Sequence, residues 1–277
     1  MEEFANYCGG AELSYGCLLQ KERTELFIEA IRKKVKKDSI VLEAGTGTGI
    51  LSIAATNAGA RTVYAIEQNK LLIPQLRQNI TNLGLADKIK IIEGDALKVK
   101  IPEKVDIIIC EMICAGLIDE PQIPVLNHLL KYLKRGGSVI PKNAEITVQL
   151  AHDNYRYFGY KLPYLHFESP TRRAKALTNI KLFAKVNFEK INSPHLNNHL
   201  RFKTTRKGIV NAIRILTKTD LIEDISLGES VLGPTFAYCP TLVIPIEELR
   251  VEKGDTIELN LSYEMGGGML TIKHNIL

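Results

Sequence analysis

The sequence has no tryptophan in its 277 residues, and phenylalanine and tyrosine bring the aromatic share to only 6%. It therefore lacks the interleaved aromatic and basic stretches on which a nucleic-acid module stacks bases. Cysteine is also sparse: Cys8, Cys17, Cys110, Cys114 and Cys239 are odd in number and show no C-x-x-C pairing. That argues against a disulfide framework and for a reducing, cytoplasmic setting. No apolar run approaches the roughly 20 residues that span a membrane, so no membrane partner is expected. The start, MEEFANYCGG, is acidic and has no signal-peptide character. Repeats and low-complexity segments are missing too. The net charge of +5 is mild. Its clusters, IRKKVKK (31–37), RRAK (172–175) and RFKTTRK (201–207), read as solvated faces, which leaves nucleic acid a weakly supported partner.

What is present is an alternation of apolar runs and helical patterns. Residues 17–37 carry Leu18, Leu19, Leu26, Phe27, Ile31 and Val35 at helical intervals and close on a basic turn. Then SIVLEAG, TVYAIE, IKIIEGD, KVDIIIC and GGSVIP read as strands. GILSIAATNAG, NKLLIPQLRQNITNLG and a segment near 121–134 read as helices between them. Near-continuous Val/Ile strands separated by helices predict α/β architecture: a Rossmann-like parallel sheet with helices on both faces. After Pro141 the pattern changes. AEITVQLA, AKVNFEK, TLVIPI, TIELNLSYEM and MLTIKHNI alternate as strands do, and 153–178 is expected to hold helix or a long loop. The expected organisation is an N-terminal helical segment (1–37), a Rossmann-like domain (38–141) and a mostly antiparallel β domain (142–277).

VLEAGTGTGI places Gly45, Gly47 and Gly49 between the first strand and the following helix. Glycines there permit a tight turn and close approach of a ligand to bare backbone. A dinucleotide fold would show G-x-G-x-x-G, but here Ile50 stands where the third glycine would be. Glu43, just before the loop, would repel phosphates and suits a cation. Glu67 ends the second strand, where a carboxylate can accept both hydroxyls of a ribose. EGDA offers Asp95, placed to accept from an adenine amino group, with Ala96 beside it. A cationic ligand with a ribose, an adenine and an amino-acid end is S-adenosylmethionine. The stretch VLEAGTGTGILSIAA…VYAIEQN…IIEGDAL, within 38–141, resembles the class I S-adenosylmethionine-dependent methyltransferases.

VDIIICEMICAGLIDE follows the fourth strand and resembles the double-glutamate loop of the protein arginine methyltransferases. Glu111 and Glu120 keep that family's nine-residue spacing. NLGLADKIKIIEGDA before the loop and LKRGGSVIPKNAEI after it match as well. The resemblance implies a barrel-like C-terminal β domain, a protein substrate and a possible homodimer. It also implies an arginine for the cofactor carboxylate, which falls on Arg23 in KERT. Glu111 and Glu120 are then the catalytic candidates. Glu111 has a cofactor contact as its alternative role, and Glu120 has a carboxylate at the next helix's N-terminus as its own.

The chain also departs from that family. Cys110, Met112 and Ile113 replace the serine and Trp-Met of the loop. No histidine lies in FAYCPTLVI (236–244), where a Thr-His-Trp motif belongs, and Tyr7 and Tyr15 only suggest the N-terminal tyrosines. Two carboxylates in a closed site can hold a guanidinium by paired hydrogen bonds, or another cation. The reading is a methyltransferase acting on a protein side chain. An RNA or small-molecule methyltransferase, or a silent cofactor-binding subunit, is the alternative. No metal is expected: His195 and His199 in SPHLNNHL lack a glutamate between them. Cys110 and Cys114 are expected to be small packing residues.

Overall fold

A computed structural model of the chain describes residues 14–169, 171–228 and 241–277. Tyr7, Cys8, Cys239 and residues 236–240 of the stretch expected to carry the Thr-His-Trp motif lie outside the described residues.

Five strands, β1 (Ile40–Ala44), β2 (Thr62–Glu67), β3 (Ile89–Glu93), β4 (Val105–Cys110) and β5 (Leu133–Ile140), form a parallel sheet in the order β3-β2-β1-β4-β5. Their Val/Ile runs are apolar on both faces because each face meets a different core. Val41, Val63, Ala65, Ile107 and Ile109 pack with helices α1 (Lys21–Lys34), α2 (Ile50–Asn57) and α3 (Ile73–Asn82). Leu42, Ala44, Ile66 and Ile108 pack with α4 (Gln122–Leu129) and merge with the core of the β domain. In α1 the buried stripe is Arg23, Phe27, Ala30 and Ile31, the i, i+4, i+7, i+8 spacing of one helix face. An arginine thus occupies the innermost stripe of that helix.

The antiparallel part is built on Asn143–His152, Gly208–Ile222 and Leu242–Val251, the middle of a seven-stranded sheet. A second sheet holds His195–Lys203, Thr256–Glu264 and Lys273–Ile276. Both sheets feed one core around Phe183, Phe202, Ile215, Leu259 and Leu261. The hairpin ending Gly208–Ile222 also reaches across: Leu221, Ile222, Ile225 and Leu227 pack with Phe27 and Ile31 of α1. At its tip Glu223 and Asp224 pair with Lys34 (2.8 Å) and Lys33 (2.6 Å).

One expected boundary needs correction, that of the fourth helix and fifth strand, and two other stretches take a definite form. Among the described residues of 153–178 there is no helix; a small hairpin pairs Arg156–Tyr157 with Tyr160–Lys161. The fourth helix stops at Leu129, and the strand expected at 136–141 starts at Leu133, because Leu130–Tyr132 form a tighter turn. His195 and His199 sit on a strand, where His199 bonds Asn260 (2.8 Å) and faces Glu258 (3.3 Å). Among the described residues no group that could hold a metal ion occurs, and no helix is long and apolar enough to cross a membrane.

Candidate active site

The strand order reverses between β1 and β4, and open α/β sheets bind ligands outside the carboxyl ends of their strands at such a switch point. Ala44 is in register with Cys110, so the glycine loop and Glu111 leave the sheet side by side. The loop turns through left-handed conformations at Gly45 (φ 70°), Gly47 (φ 55°) and Gly49 (φ 84°). A Cβ at Gly45 would come 2.8 Å from Met112 Cε, one at Gly47 2.9 Å from Ser14 Oγ, and one at Gly49 2.6 Å from Leu76 Cδ1. Glycine is therefore required both by backbone and by space. Ser14, in the helical stretch 14–19, lies against the loop.

Glu67 is buried at the end of β2. Its Oε2 accepts from Gly47 N–H (2.7 Å) and its Oε1 from Asn69 N–H (2.8 Å). A carboxylate has about four acceptor positions, so each oxygen keeps one for a ribose hydroxyl. Asp95 follows β3, which is in register with β2 through Glu67 and Glu93. Its Oδ1 accepts from Leu97 N–H (2.9 Å), and this bond, with Lys98 3.2 Å away, holds its carboxyl below its ordinary range. Ala96 beside it is buried.

Glu43 is 2% exposed and accepts from the Ser52 hydroxyl. Burial pushes its carboxyl up to about 8, against the hydrogen bond from Ser52. Through the Ser52 hydroxyl it braces α2 beneath the glycine loop.

Arg23 forms an ion pair with Glu111. Burial opposes its charge, yet the pairing holds the guanidinium above its ordinary value. The Arg23 guanidinium also lies 5.5 Å from the centre of the Phe27 ring. Glu120 is half-buried; burial pushes it up to about 7, the charge of Glu111 adds to the rise and Arg23 opposes it. Glu111, Glu120 and Arg23 thus share one electrostatic neighbourhood. Glu120 stands directly before Pro121 at the N-terminus of α4, the place open to it from sequence, and no side chain caps that helix by a hydrogen bond.

The segment between the two glutamates is held from the β domain. Gly116 N–H donates to Thr217 Oγ1 (2.7 Å), while Leu117 O and Ile118 O accept from Gly266 N–H (2.9 Å) and Gly268 N–H (2.9 Å). Cys114 Sγ accepts from Asp119 and Glu120 N–H (3.2 and 3.3 Å), and burial raises its thiol to about 11. Cys110 is fully buried and burial raises its thiol as well. Both thiols are inert packing groups at neutral pH. Tyr15 is exposed. Sequence reasoning passed over Gln122, whose amide holds the end of β4, and the glycines 266 and 268; their roles exist only once α4 and the β domain fold against the loop.

Known proteins resemble this chain in sequence and in fold. The family described as Ribosomal protein L11 methyltransferase (PrmA) matches residues 20–142. The probable protein arginine N-methyltransferase 6.1 of Oryza sativa subsp. indica is 34% identical over 140 residues, 50% of this chain and 37% of that one. The structure of the Trypanosoma brucei PRMT1 enzyme-prozyme heterotetrameric complex with AdoHcy superposes with a TM-score of 0.76 at 19% identity, covering 96% of both chains. Fold, site and these similarities together support an S-adenosylmethionine-dependent class I methyltransferase that resembles the protein arginine methyltransferases. Over its length it is 31% identical to the Uncharacterized protein MJ1452 of Methanocaldococcus jannaschii, covering 95% of each.

Proposed function

We propose that this enzyme transfers the methyl group of S-adenosylmethionine to a protein side chain, the guanidinium of arginine, held by Glu111 and Glu120. One observation carries the reading: Glu111 leaves the sheet beside the glycine loop at its switch point, and Glu120, at the other end of a constrained loop, lies close enough for the charge of Glu111 to act on it. Similarity to protein methyltransferases supports a protein acceptor.

The residues fit the cofactor. Glu67 keeps acceptor positions for a ribose, Asp95 and Ala96 lie next to it for an adenine, and Gly45, Gly47 and Gly49 leave room for close approach. Arg23 has the charge to meet a carboxylate. When bound, the cofactor supplies an activated methyl on a positively charged sulfur. The protein's part is positioning: an in-line attack depends on where the acceptor nitrogen is held. Ionised Glu111 and Glu120 form charge-assisted hydrogen bonds with a guanidinium and orient that nitrogen. A carboxylate poised near neutrality can also take the proton that the methylated nitrogen sheds.

The proposal extends to the cell and the assembly. The described cysteines, Cys17, Cys110 and Cys114, are free, as expected in the cytoplasm. Phe158, Tyr160 and Tyr164 on the segment after Asn143–His152 are 98%, 71% and 67% exposed, and Leu19 and Leu71 on the other half of the molecule are 67% and 59% exposed. Contiguous apolar surface marks association sites, and we assign Phe158, Tyr160 and Tyr164, close together in the chain, to a homodimer contact. Methyl-labelled S-adenosylmethionine incubated with enzyme and cell extract tests the function. Label lost on protease digestion supports it; label lost only on nuclease digestion supports an RNA acceptor instead.

A further inference from the structure

Gln122 is the first residue of α4 and is completely buried. Its Nε2 donates to Cys110 O (2.8 Å), and its Oε1 accepts from Met112 N–H (2.9 Å). The Cys110 thiol faces the same oxygen at 3.6 Å. The amide therefore pairs with the peptide groups on both sides of Glu111, as a neighbouring strand would. That is where β4 runs out of strand partners: Cys110 is the last residue in register with β1, and the pairing with β5 ends at Ile109. The same residue is tied to the second glutamate, since Gln122 N–H donates to Glu120 O (2.9 Å).

A leucine or methionine would fill this space equally well. A buried amide costs free energy unless both its ends are bonded. Here both ends are used, and both are spent on the backbone that carries Glu111. We infer that Gln122 is the positioning residue of the site: it fixes the direction in which Glu111 leaves β4 and sets its distance from Glu120. This rests on the reading of Glu111 as the acceptor's carboxylate. A shift of about 1 Å in a positioned group is enough to cost on the order of 100-fold in rate. Glu67 and Asp95, proposed for the cofactor's ribose and adenine, are held by bonds in which Gln122 takes no part.

Two variants test this, each compared with wild type for S-adenosylmethionine affinity by calorimetry and for the rate of methyl labelling of extract protein. Gln122→Met conserves volume and removes both bonds. Its rate should fall by about 10- to 100-fold, with cofactor affinity unchanged within a factor of about three, at every pH. Gln122→Glu keeps both bonds while its carboxyl is protonated and loses the donor when it ionises, with burial raising the pH at which it does so. Its rate relative to wild type should start near unity at pH 6 and fall as pH rises to 9, under conditions where circular dichroism shows the protein folded. A residue that served stability alone would not give that pH-dependent ratio in a folded enzyme. Should Gln122→Met fail to fold, the Gln122→Glu profile decides. The inference is overturned by wild-type rates in the variants, by a flat Gln122→Glu ratio, or by cofactor affinity falling in step with rate. Glu111→Gln is the reference: if it too labels at the wild-type rate, the two-glutamate reading has failed, whereas loss there with intact Gln122 variants sinks this inference alone.

Discussion

Glu120 carries a pH dependence whose sign can be worked out. Burial and the charge of Glu111 raise its folded-state value from 4.5 to about 7, so the folded protein holds this proton more tightly than the unfolded chain. Stability is highest below pH 4.5 with respect to this group and is lost as pH rises through about 7. Glu120→Gln removes the ionisation. In the cofactor-free protein it should be stabilising at pH 8 by up to about 3 kcal/mol and neutral near pH 4, measured by melting at the two pH values. In activity the effect runs the other way. Wild-type labelling should climb as pH rises through 7, when the second carboxylate becomes available to a guanidinium, and the variant should lack that limb. Glu67→Ala should weaken S-adenosylmethionine by about 1.5–3 kcal/mol, because it removes a charged acceptor and strands the Gly47 N–H. Glu67→Gln should lose less; calorimetry reads both. At this scale the acidic positions were legible because their spacing from strand ends is regular. The burial of Glu43 and its bond to Ser52 were not legible, because they depend on how α2 packs beneath the glycine loop.

At the scale of elements, the glycine loop and the loop between the glutamates do opposite jobs. The first is open backbone for a ligand; the second is a strap fastened by Thr217, Gly266 and Gly268. Gly116 turns with φ 65° and a Cβ there would meet Ile118 at 2.9 Å and Tyr263 Oη at 3.0 Å. Gly116→Ala should therefore cost about 1–2 kcal/mol from the backbone alone. It should also lower labelling more than cofactor affinity, because the strap carries Glu120; a melting curve and calorimetry separate the two effects. Gly47→Val should abolish cofactor binding, since Ser14 already fills the space its side chain needs. The parallel strands were easy to read because burial on both faces makes each a continuous Val/Ile run. The longest strand, Gly208–Ile222, drew no expectation. Its central run IVNAIRIL mixes apolar residues with buried Asn211 and Arg214, and only the fold supplies their partners, such as Glu168 for Arg214. His195 and His199, four residues apart, fall on one face of a strand.

For the whole molecule, the hairpin of residues 208–228 crosses to α1, so the helix carrying Arg23 is packed from both halves of the chain. Cofactor-side and acceptor-side groups are thereby fixed to one another. The proposed homodimer rests on the exposed aromatics Phe158 and Tyr160. Replacing both by serine should convert a dimer to a monomer in light scattering while leaving each chain folded; an unchanged mass would remove the dimer proposal. The most direct measurement on the two-glutamate site uses wild type and Glu111→Gln side by side. Each is incubated with extract protein and methyl-labelled S-adenosylmethionine, the protein is hydrolysed to amino acids, and cofactor affinity is measured separately by calorimetry. The expected result is label in methylarginine with wild type, reduced by at least about 100-fold in Glu111→Gln, at nearly equal cofactor affinity. Label in another amino acid, or undiminished methylarginine from Glu111→Gln, would contradict it.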